Sequence, residues 1–164
     1  MHDADKSATS RGFGLEWGSR ESLLAYVGRL PDGDIRATEG AEFDGASVFR
    51  FPLHRAIRGG DDAVEAWFLG TAELYGYEGM LYIAVKDPHV SIREGRLLLR
   101  GTDPVTGECL DVAAGSVDAR ATRDGVLSVT AEHPRLSEAA ADMFAHQYPA
   151  GAELAAIRVK IPSQ

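Results

Sequence analysis

Residues 71–86 read TAELYGYEGMLYIAVK, and this stretch predicts two antiparallel strands joined by a tight turn. Apolar and polar side chains alternate up to Tyr75, as they do in a sheet with one buried face. Gly76 and Gly79 interrupt the pattern, and glycine supplies the backbone freedom that a short connection needs. We therefore expect one strand to end at Tyr75 and a second to cover residues 80–86.

The same pattern recurs along most of the chain. Short runs rich in β-branched and aromatic residues are separated by turn signals such as Pro31-Asp32-Gly33 and Asp124-Gly125. The regular alternation of strands and helices that a doubly wound parallel sheet requires is absent. The sequence therefore predicts a mainly β protein, an antiparallel β-sandwich or barrel-like domain with two short α-helices. The predicted strands cover residues 34–39, 46–53, 63–75, 80–86, 88–93, 96–101, 108–114, 116–122, 126–131 and 153–161.

Two segments have helical spacing instead of alternation. A helix over residues 19–30 is expected to be the first ordered element, with Tyr26 on its apolar face. Trp17, just before it, is expected to pack back on the first turn. A second helix is predicted over residues 137–147, where Ser137 can accept hydrogen bonds as the N-cap.

Composition limits the class of partner. The chain has 164 residues, of which 17 are basic and 25 acidic, and its net charge is -8. Because binding to nucleic acid requires a basic face that displaces counterions, we expect no nucleic-acid partner. With 45% hydrophobic residues, the composition predicts a single globular domain over residues 14–164, after a polar and disordered lead over residues 1–13.

Location and redox chemistry follow from two further features. No segment is apolar over the roughly 18 residues that a membrane-spanning helix needs, and the N-terminus lacks a signal-peptide pattern, so we expect no membrane insertion and a cytoplasmic location. Cys109 is the single cysteine, which excludes a disulfide framework. It is expected to be a small buried side chain rather than a nucleophile. The oligomeric state does not follow from the sequence.

Motifs for nucleotide, metal or acyl-transfer chemistry are absent from the sequence. There is no phosphate-binding GxxxxGK[ST] loop and no GxSxG serine motif, and the five histidines lack the spacing of a zinc site. Three tyrosines, Tyr75, Tyr77 and Tyr82, cluster around the predicted turn. The structural interpretation is that their rings cover the core while the hydroxyls reach solvent.

Four segments, in order, resemble the HtaA domain. Trp17, followed by SLLAYV at residues 22–27, resembles the family's opening tryptophan and helix. The other three segments are GTAELYGYEGML at residues 70–81, DPHVSI at residues 87–92, and Phe144 followed by YPAGAEL at residues 148–154. The resemblance runs from about residue 15 to residue 161, which is nearly the whole chain.

The resemblance implies a β-rich domain that binds haem b. Members of this family are usually exported or cell-surface haem-uptake proteins of actinobacteria, in which a helix tyrosine is the axial ligand of ferric iron and a histidine hydrogen-bonds the phenolate. By position, Tyr26 is the iron ligand, and Tyr77 stands where the family has that histidine. The remaining haem contacts that the resemblance implies are Tyr75, Met80, Phe144 and Tyr148.

Tyr77 leaves two hypotheses open. In the first, the protein is a haem carrier, buffer or relay with Tyr26 as its axial ligand. A phenol at residue 77 can donate a hydrogen bond to the Tyr26 oxygen but cannot become a cation there, so haem binding would be weaker. In the second, the pocket takes another flat or hydrophobic small molecule. One version of this second hypothesis is a cofactor-independent biosynthetic enzyme of the isomerase or cyclase type, in which Tyr26 and Tyr77 act as a hydrogen-bonding or acid pair.

Overall fold

The computed structural model describes residues 13–18, 27–45, 47–76, 78, 81–143 and 150–163. Within these residues, 13 strands form one antiparallel sheet that curls into a half-barrel, which confirms the predicted fold class. The strands are β1 (Gly14–Gly18), β2 (Asp34–Thr38), β3 (Glu42–Phe43), β4 (Val48–Arg58), β5 (Val64–Phe68), β6 (Thr71–Gly76), β7 (Leu81–Arg93), β8 (Arg96–Thr102), β9 (Cys109–Ser116), β10 (Ala119–Arg123), β11 (Val126–Ala131), β12 (Arg135–Leu136) and β13 (Ile157–Pro162).

The order of strands across the sheet differs from their order in the chain. It runs β10-β11-β13-β1-β4-β5-β7-β8-β9-β12, while β6 pairs with both β2 and β7, and β3 pairs with β4. The N-terminal strand β1 therefore lies in the middle of the sheet, between β4 and the C-terminal β13. Sequence analysis did not predict β1 or the two short strands β3 and β12.

The predicted strand over residues 63–75 is two strands, β5 and β6, separated by Leu69 and Gly70. Gly70 has a φ of 122°, which favours glycine, and a Cβ there would lie 2.4 Å from the Cβ of Ala41. The prediction was wrong because this close approach of another segment cannot be read from local alternation.

The opposite error concerns the two strands predicted over residues 80–86 and 88–93: the structure has one continuous strand there, β7, which begins at Leu81. Its pairing with β8 shifts register between Lys86 and His89, as in a β-bulge. Asp87 is fixed to Gly70 by two hydrogen bonds. The Gly70 N–H donates to the Asp87 carboxylate at 3.0 Å, and the Asp87 N–H donates to the Gly70 carbonyl at 2.7 Å. Asp87 and Pro88 therefore lie in a bulge within one strand.

Among the described residues, α-helical structure is found at residues 27–29 and 138–143. Residues 27–29 are helical, whereas residues 19–26 of the predicted first helix lie outside the described residues. The prediction that this helix is the first ordered element was wrong, because β1 precedes it and includes Trp17 as a strand residue. Helix α1 (Glu138–Met143) packs against β9 and β7, and Ser137 caps it by accepting a hydrogen bond from the Ala140 N–H at 3.0 Å, as predicted.

The hydrophobic core lines the inner face of the curled sheet. Leu15 and Trp17 of β1 point inward, and they pack between the core residues of β4 and β13. Val27 and Ala140, from the two helical segments, are fully buried in the same cluster. Cys109 is exposed rather than buried, because it lies where β9 begins, next to the exposed turn after β8. Its predicted burial was therefore wrong.

Candidate functional site

The turn after the first helical segment lies beside the connection between β6 and β7. Strand β2 begins directly after this turn, and its first residue, Asp34, pairs with Tyr75 near the end of β6. Gly76 is the last residue of β6 and pairs with Leu81 of β7, so residues 77–80 form the connection between the two strands. The sheet pairing therefore brings the end of the helix to the tip of the β6–β7 hairpin.

A side-chain hydrogen bond joins these two segments. The backbone N–H of Glu78 donates to Oδ2 of Asp32 at 2.6 Å. Glu78 has a φ of 55°, so it adopts the left-handed conformation common in tight turns. The bond links positions 46 residues apart in the sequence. It holds the hairpin connection against the turn that follows the helix.

The turn that carries Asp32 depends on Gly33. The N–H of Leu30 donates to the carbonyl of Val27, and the N–H of Gly33 donates to the carbonyl of Leu30, both at 3.1 Å. A Cβ at residue 33 would lie 1.8 Å from the Val27 carbonyl oxygen, which is far closer than atoms can approach. Only glycine fits there, and Asp32 is thereby set beside the hairpin connection.

Five of the six predicted site residues lie outside the described residues: Tyr26, Tyr77, Met80, Phe144 and Tyr148. Tyr26 and Tyr77 nonetheless have described neighbours, Val27 and Glu78, which belong to the two segments that Asp32 joins. Tyr75 is described, and 37% of its surface is exposed. It lies between Asp34 and Tyr82 in adjacent strands, on the face opposite the buried Leu74.

Tyr82 is hydrogen-bonded on the outer side of the same hairpin. Its hydroxyl donates to Oε2 of Glu73 at 2.6 Å. Burial, together with this hydrogen bond and the negative charges of Glu73 and Asp103, raises the pKa of Tyr82 to about 12. Tyr82 is therefore a neutral phenol with a fixed partner. Sequence analysis placed Tyr82 correctly next to the turn but did not identify Glu73, which is nine residues away.

A row of aromatic side chains crosses the inner face at the end of β1. Trp17 pairs with Phe49 of β4, and Phe49 pairs with Phe43 of β3. The rings of Phe43 and Phe49 have centroids 4.8 Å apart. The Nε1 atom of Trp17 is buried and has no hydrogen-bond partner among the described residues. This polar atom in an apolar row was not anticipated from the sequence, where Trp17 was placed outside the sheet.

The outer face of β5 and β7 has a separate polar cluster around Glu65. Its carboxylate contacts Nε2 of His89 at 2.7 Å, accepts a hydrogen bond from Ser91 Oγ at 2.7 Å, and lies 3.3 Å from the Arg93 guanidinium. Burial alone would raise the pKa of Glu65, but the hydrogen bonds from Ser91, His89 and Arg93 outweigh it and lower that pKa. The cluster satisfies its own hydrogen bonds, so it stabilises the pairing of the two strands.

No group of three or more His, Cys, Asp or Glu side chains in the described part of the chain could hold a metal ion. No helix among the described residues is long and apolar enough to cross a membrane.

Comparison with known proteins shows which proteins have a similar sequence or fold. The family model HtaA, described as Htaa, matches residues 12–160. The C-terminal domain of HtaA from Corynebacterium glutamicum has a similar structure, with a TM-score of 0.75 and 19% identity over 91% of this chain and 96% of that chain. For the N-terminal domain of the same protein the TM-score is 0.73, at 20% identity over 93% of this chain and 98% of that chain.

A third similar structure is the heme binding protein HtaB from the same organism. Its TM-score is 0.65, at 19% identity over 92% of each chain. No curated protein sequence matches this chain. At such low identities the three structures show that the fold is shared.

Proposed function

Because the chain belongs to the HtaA family, we propose that it binds haem through the phenolate of Tyr26, with Tyr77 donating a hydrogen bond to the same oxygen. A protein of similar fold, HtaB, is named for heme binding, which supports this ligand. The proposed activity is reversible binding, as in a haem carrier, buffer or relay, rather than turnover.

The observation that carries the proposal is the hydrogen bond between Asp32 and Glu78. Tyr26 directly precedes Val27, the first residue of the described helical turn, and Tyr77 directly precedes Glu78. Asp32 belongs to the turn that follows this helix, and it holds the N–H of Glu78 at 2.6 Å. The bond therefore supports a site in which the two tyrosines approach each other from the helix and from the hairpin.

The phenol groups of Tyr26 and Tyr77 suit the binding of haem. When bound, haem supplies a ferric iron that accepts an anionic oxygen ligand. A phenol has a reference pKa of about 10, so Tyr26 ionises at neutral pH only if a positive charge and a hydrogen-bond donor stabilise its phenolate. Tyr77 would be that donor. Because it is neutral, we expect weaker stabilisation than a histidine would provide.

The inner face of the sheet supplies a suitable wall. The row of Trp17, Phe49 and Phe43 is apolar and mostly buried; Trp17 and Phe49 belong to the same core cluster as Val27, and Phe43 packs against it. Flat apolar ligands bind preferentially to concave surfaces lined by aromatic side chains. Met80, Phe144 and Tyr148 would add apolar contacts. Tyr75 lies on the outer face of the hairpin, opposite the buried Leu74, so it is not part of this wall.

Hemin titration of the full chain tests the proposal. We expect a Soret band and a tyrosinate charge-transfer band in the wild-type protein. Tyr26→Phe should abolish both bands, because it removes the ligand oxygen and keeps the ring. Tyr82→Phe is the matched control, since it removes a phenol whose hydroxyl is bonded to Glu73, and it should bind hemin as the wild type does.

The second hypothesis, a haem-free pocket, is favoured by one observation, the tyrosine at residue 77. It predicts that neither the wild type nor Tyr77→His responds to hemin, while a small apolar ligand raises the melting temperature. That outcome would replace the haem proposal, and Tyr26 and Tyr77 would then be the first residues to test for turnover.

A further inference from the structure

The indole N–H of Trp17 is a buried hydrogen-bond donor for which the described residues provide no acceptor. Only 7% of the Trp17 surface is exposed, and its Nε1 atom has no partner among the described residues. The buried Nη2 atom of Arg120 also lacks a hydrogen bond, but it lies 4.0 Å from Asp62 Oδ1 in a side chain that is 26% exposed. Unsatisfied donors in a native interior are rare, and each one calls for an explanation, such as an acceptor on a bound molecule.

The described strands on either side of Trp17 explain why they offer no acceptor. On its own face Trp17 has Ile157 of β13 on one side and Phe49 of β4 on the other, and neither side chain has a polar atom. The backbone groups of these neighbouring strands are used in the sheet ladder. An acceptor for the indole must therefore come from outside the sheet.

The position of Trp17 connects it to the proposed site. It lies one residue before the end of β1 and nine residues before Tyr26 in the sequence. Trp17 and Val27, the residue after Tyr26, belong to the same buried cluster. The aromatic row that begins at Trp17 continues through Phe49 to Phe43, which is partly buried, so an apolar surface extends from the indole toward solvent.

We infer that Trp17 Nε1 donates a hydrogen bond to an oxygen atom at the edge of the bound ligand. An indole N–H is a donor only, so its partner must be an acceptor. If the ligand is haem, that acceptor is a propionate carboxylate, since the propionates are the only oxygen-bearing groups of haem. This inference rests on the proposed function, and it assigns the orientation of the ligand: iron toward Tyr26, and one propionate toward β1.

Trp67 provides an internal control. It is the second of the two tryptophans, and it lies on the outer face of the sheet. Its ring stacks on His89 with centroids 4.9 Å apart, and the guanidinium of Arg55 lies 4.4 Å from its ring centroid. A ligand on the inner face would not contact it.

The test uses the full chain with 15N-labelled tryptophan and gallium(III) protoporphyrin IX, a diamagnetic porphyrin with the charge of ferric haem. The two indole N–H signals are assigned with Trp17→Phe and Trp67→Phe, and binding is followed independently by the Soret absorption of the porphyrin. On saturation, we expect the Trp17 indole proton to move downfield and to exchange more slowly with solvent, while the Trp67 signal stays in place. A gallium porphyrin with ethyl groups instead of propionates should bind without the downfield shift, which separates hydrogen bonding from the ring current.

Affinity gives a second readout. We expect Trp17→Phe to bind gallium protoporphyrin about 2- to 10-fold more weakly than the wild type, as expected for one lost hydrogen bond, and Trp67→Phe to bind equally well. If the porphyrin binds while the Trp17 signal is unmoved, the inference is wrong and the proposed function stands. If neither gallium protoporphyrin nor hemin binds, both the inference about Trp17 and the proposed function are wrong.

Discussion

Asp32 accepts a hydrogen bond at 2.6 Å from the backbone N–H of Glu78, and this bond joins the turn after the helix to the tip of the β6–β7 hairpin. Both partners are at the surface, but one is a charged acceptor, and such bonds are stronger than bonds between neutral groups. The bond therefore sets the spacing between the segments that contain Tyr26 and Tyr77.

Asp32→Ala removes this acceptor. We expect the free energy of unfolding to fall by about 1 kcal/mol, as for one solvent-exposed hydrogen bond, and hemin affinity to fall several-fold because the two segments lose their link. Asp32→Asn keeps an oxygen acceptor and should lie between the wild type and Asp32→Ala. Urea denaturation and hemin titration measure the two effects. Unchanged hemin affinity in a folded Asp32→Ala protein would count against a site at this junction.

Gly33→Ala places a methyl group against the carbonyl of Val27, where the Cβ would be 1.8 Å from the oxygen. We expect a loss of about 1–3 kcal/mol in the free energy of unfolding, as for other overpacked positions. Gly28→Ala is the matched control, because residue 28 is helical and no atom lies within 4 Å of a Cβ built there. It should leave stability unchanged or raise it by up to about 1 kcal/mol, since alanine favours helix more than glycine does. Thermal unfolding of the two variants, measured side by side, tests both expected changes in stability.

Tyr77→His introduces a basic partner for the proposed Tyr26 phenolate. We expect hemin affinity to rise by about 10-fold or more, because hydrogen-bond partners of metal ligands typically change affinity by 10- to 100-fold. Tyr77→Phe should weaken binding, but less than Tyr26→Phe, since it removes only the donor. Competition titrations with a reference haem-binding protein give the ratio of dissociation constants. Equal affinities for all three residues at position 77 would show that this side chain does not reach the iron ligand.

The polar cluster around Glu65, on the outer face of β5 and β7, predicts that part of the protein's stability is lost at acidic pH. The pKa of Glu65 is lowered from its usual value of 4.5, because the hydrogen bonds from Ser91, His89 and Arg93 outweigh the effect of burial. A carboxylate with a lowered pKa adds stability that is fully present above the unfolded-state pKa and is lost as pH falls through the folded-state pKa. We therefore expect the wild type to be more stable than Glu65→Gln at neutral pH.

That advantage should shrink as the pH drops below about 4.5. Glu94→Gln, in the exposed turn between β7 and β8, is the control and should track the wild type at every pH. Urea unfolding at several pH values tests this. A constant difference between wild type and Glu65→Gln across the whole range would contradict the assignment of this ion cluster.

Several features of this protein could be predicted from its sequence because they depend on neighbouring residues. Alternation in residues 34–39, 96–101 and 126–131 located strands to within one residue, since the period of side chains in a strand is a local property. The turn signal Pro31-Asp32-Gly33 and the capping of α1 by Ser137 were also local, because a turn or cap is made by residues three or four apart. The family resemblance was visible in short motifs for the same reason.

The contacts that build the candidate site join residues far apart in the chain, and only the tertiary structure decided them. Leu69 and Gly70 separate β5 from β6 at a point where Ala41 leaves no room for a side chain on residue 70. Asp32 is close to Glu78 because β2 pairs with β6. Trp17 faces the core because β1 is inserted between β4 and β13, which local hydrophobic spacing cannot reveal. A strand pattern specifies which side chains share a face, but the partner strand and its register depend on the packing of the whole sheet.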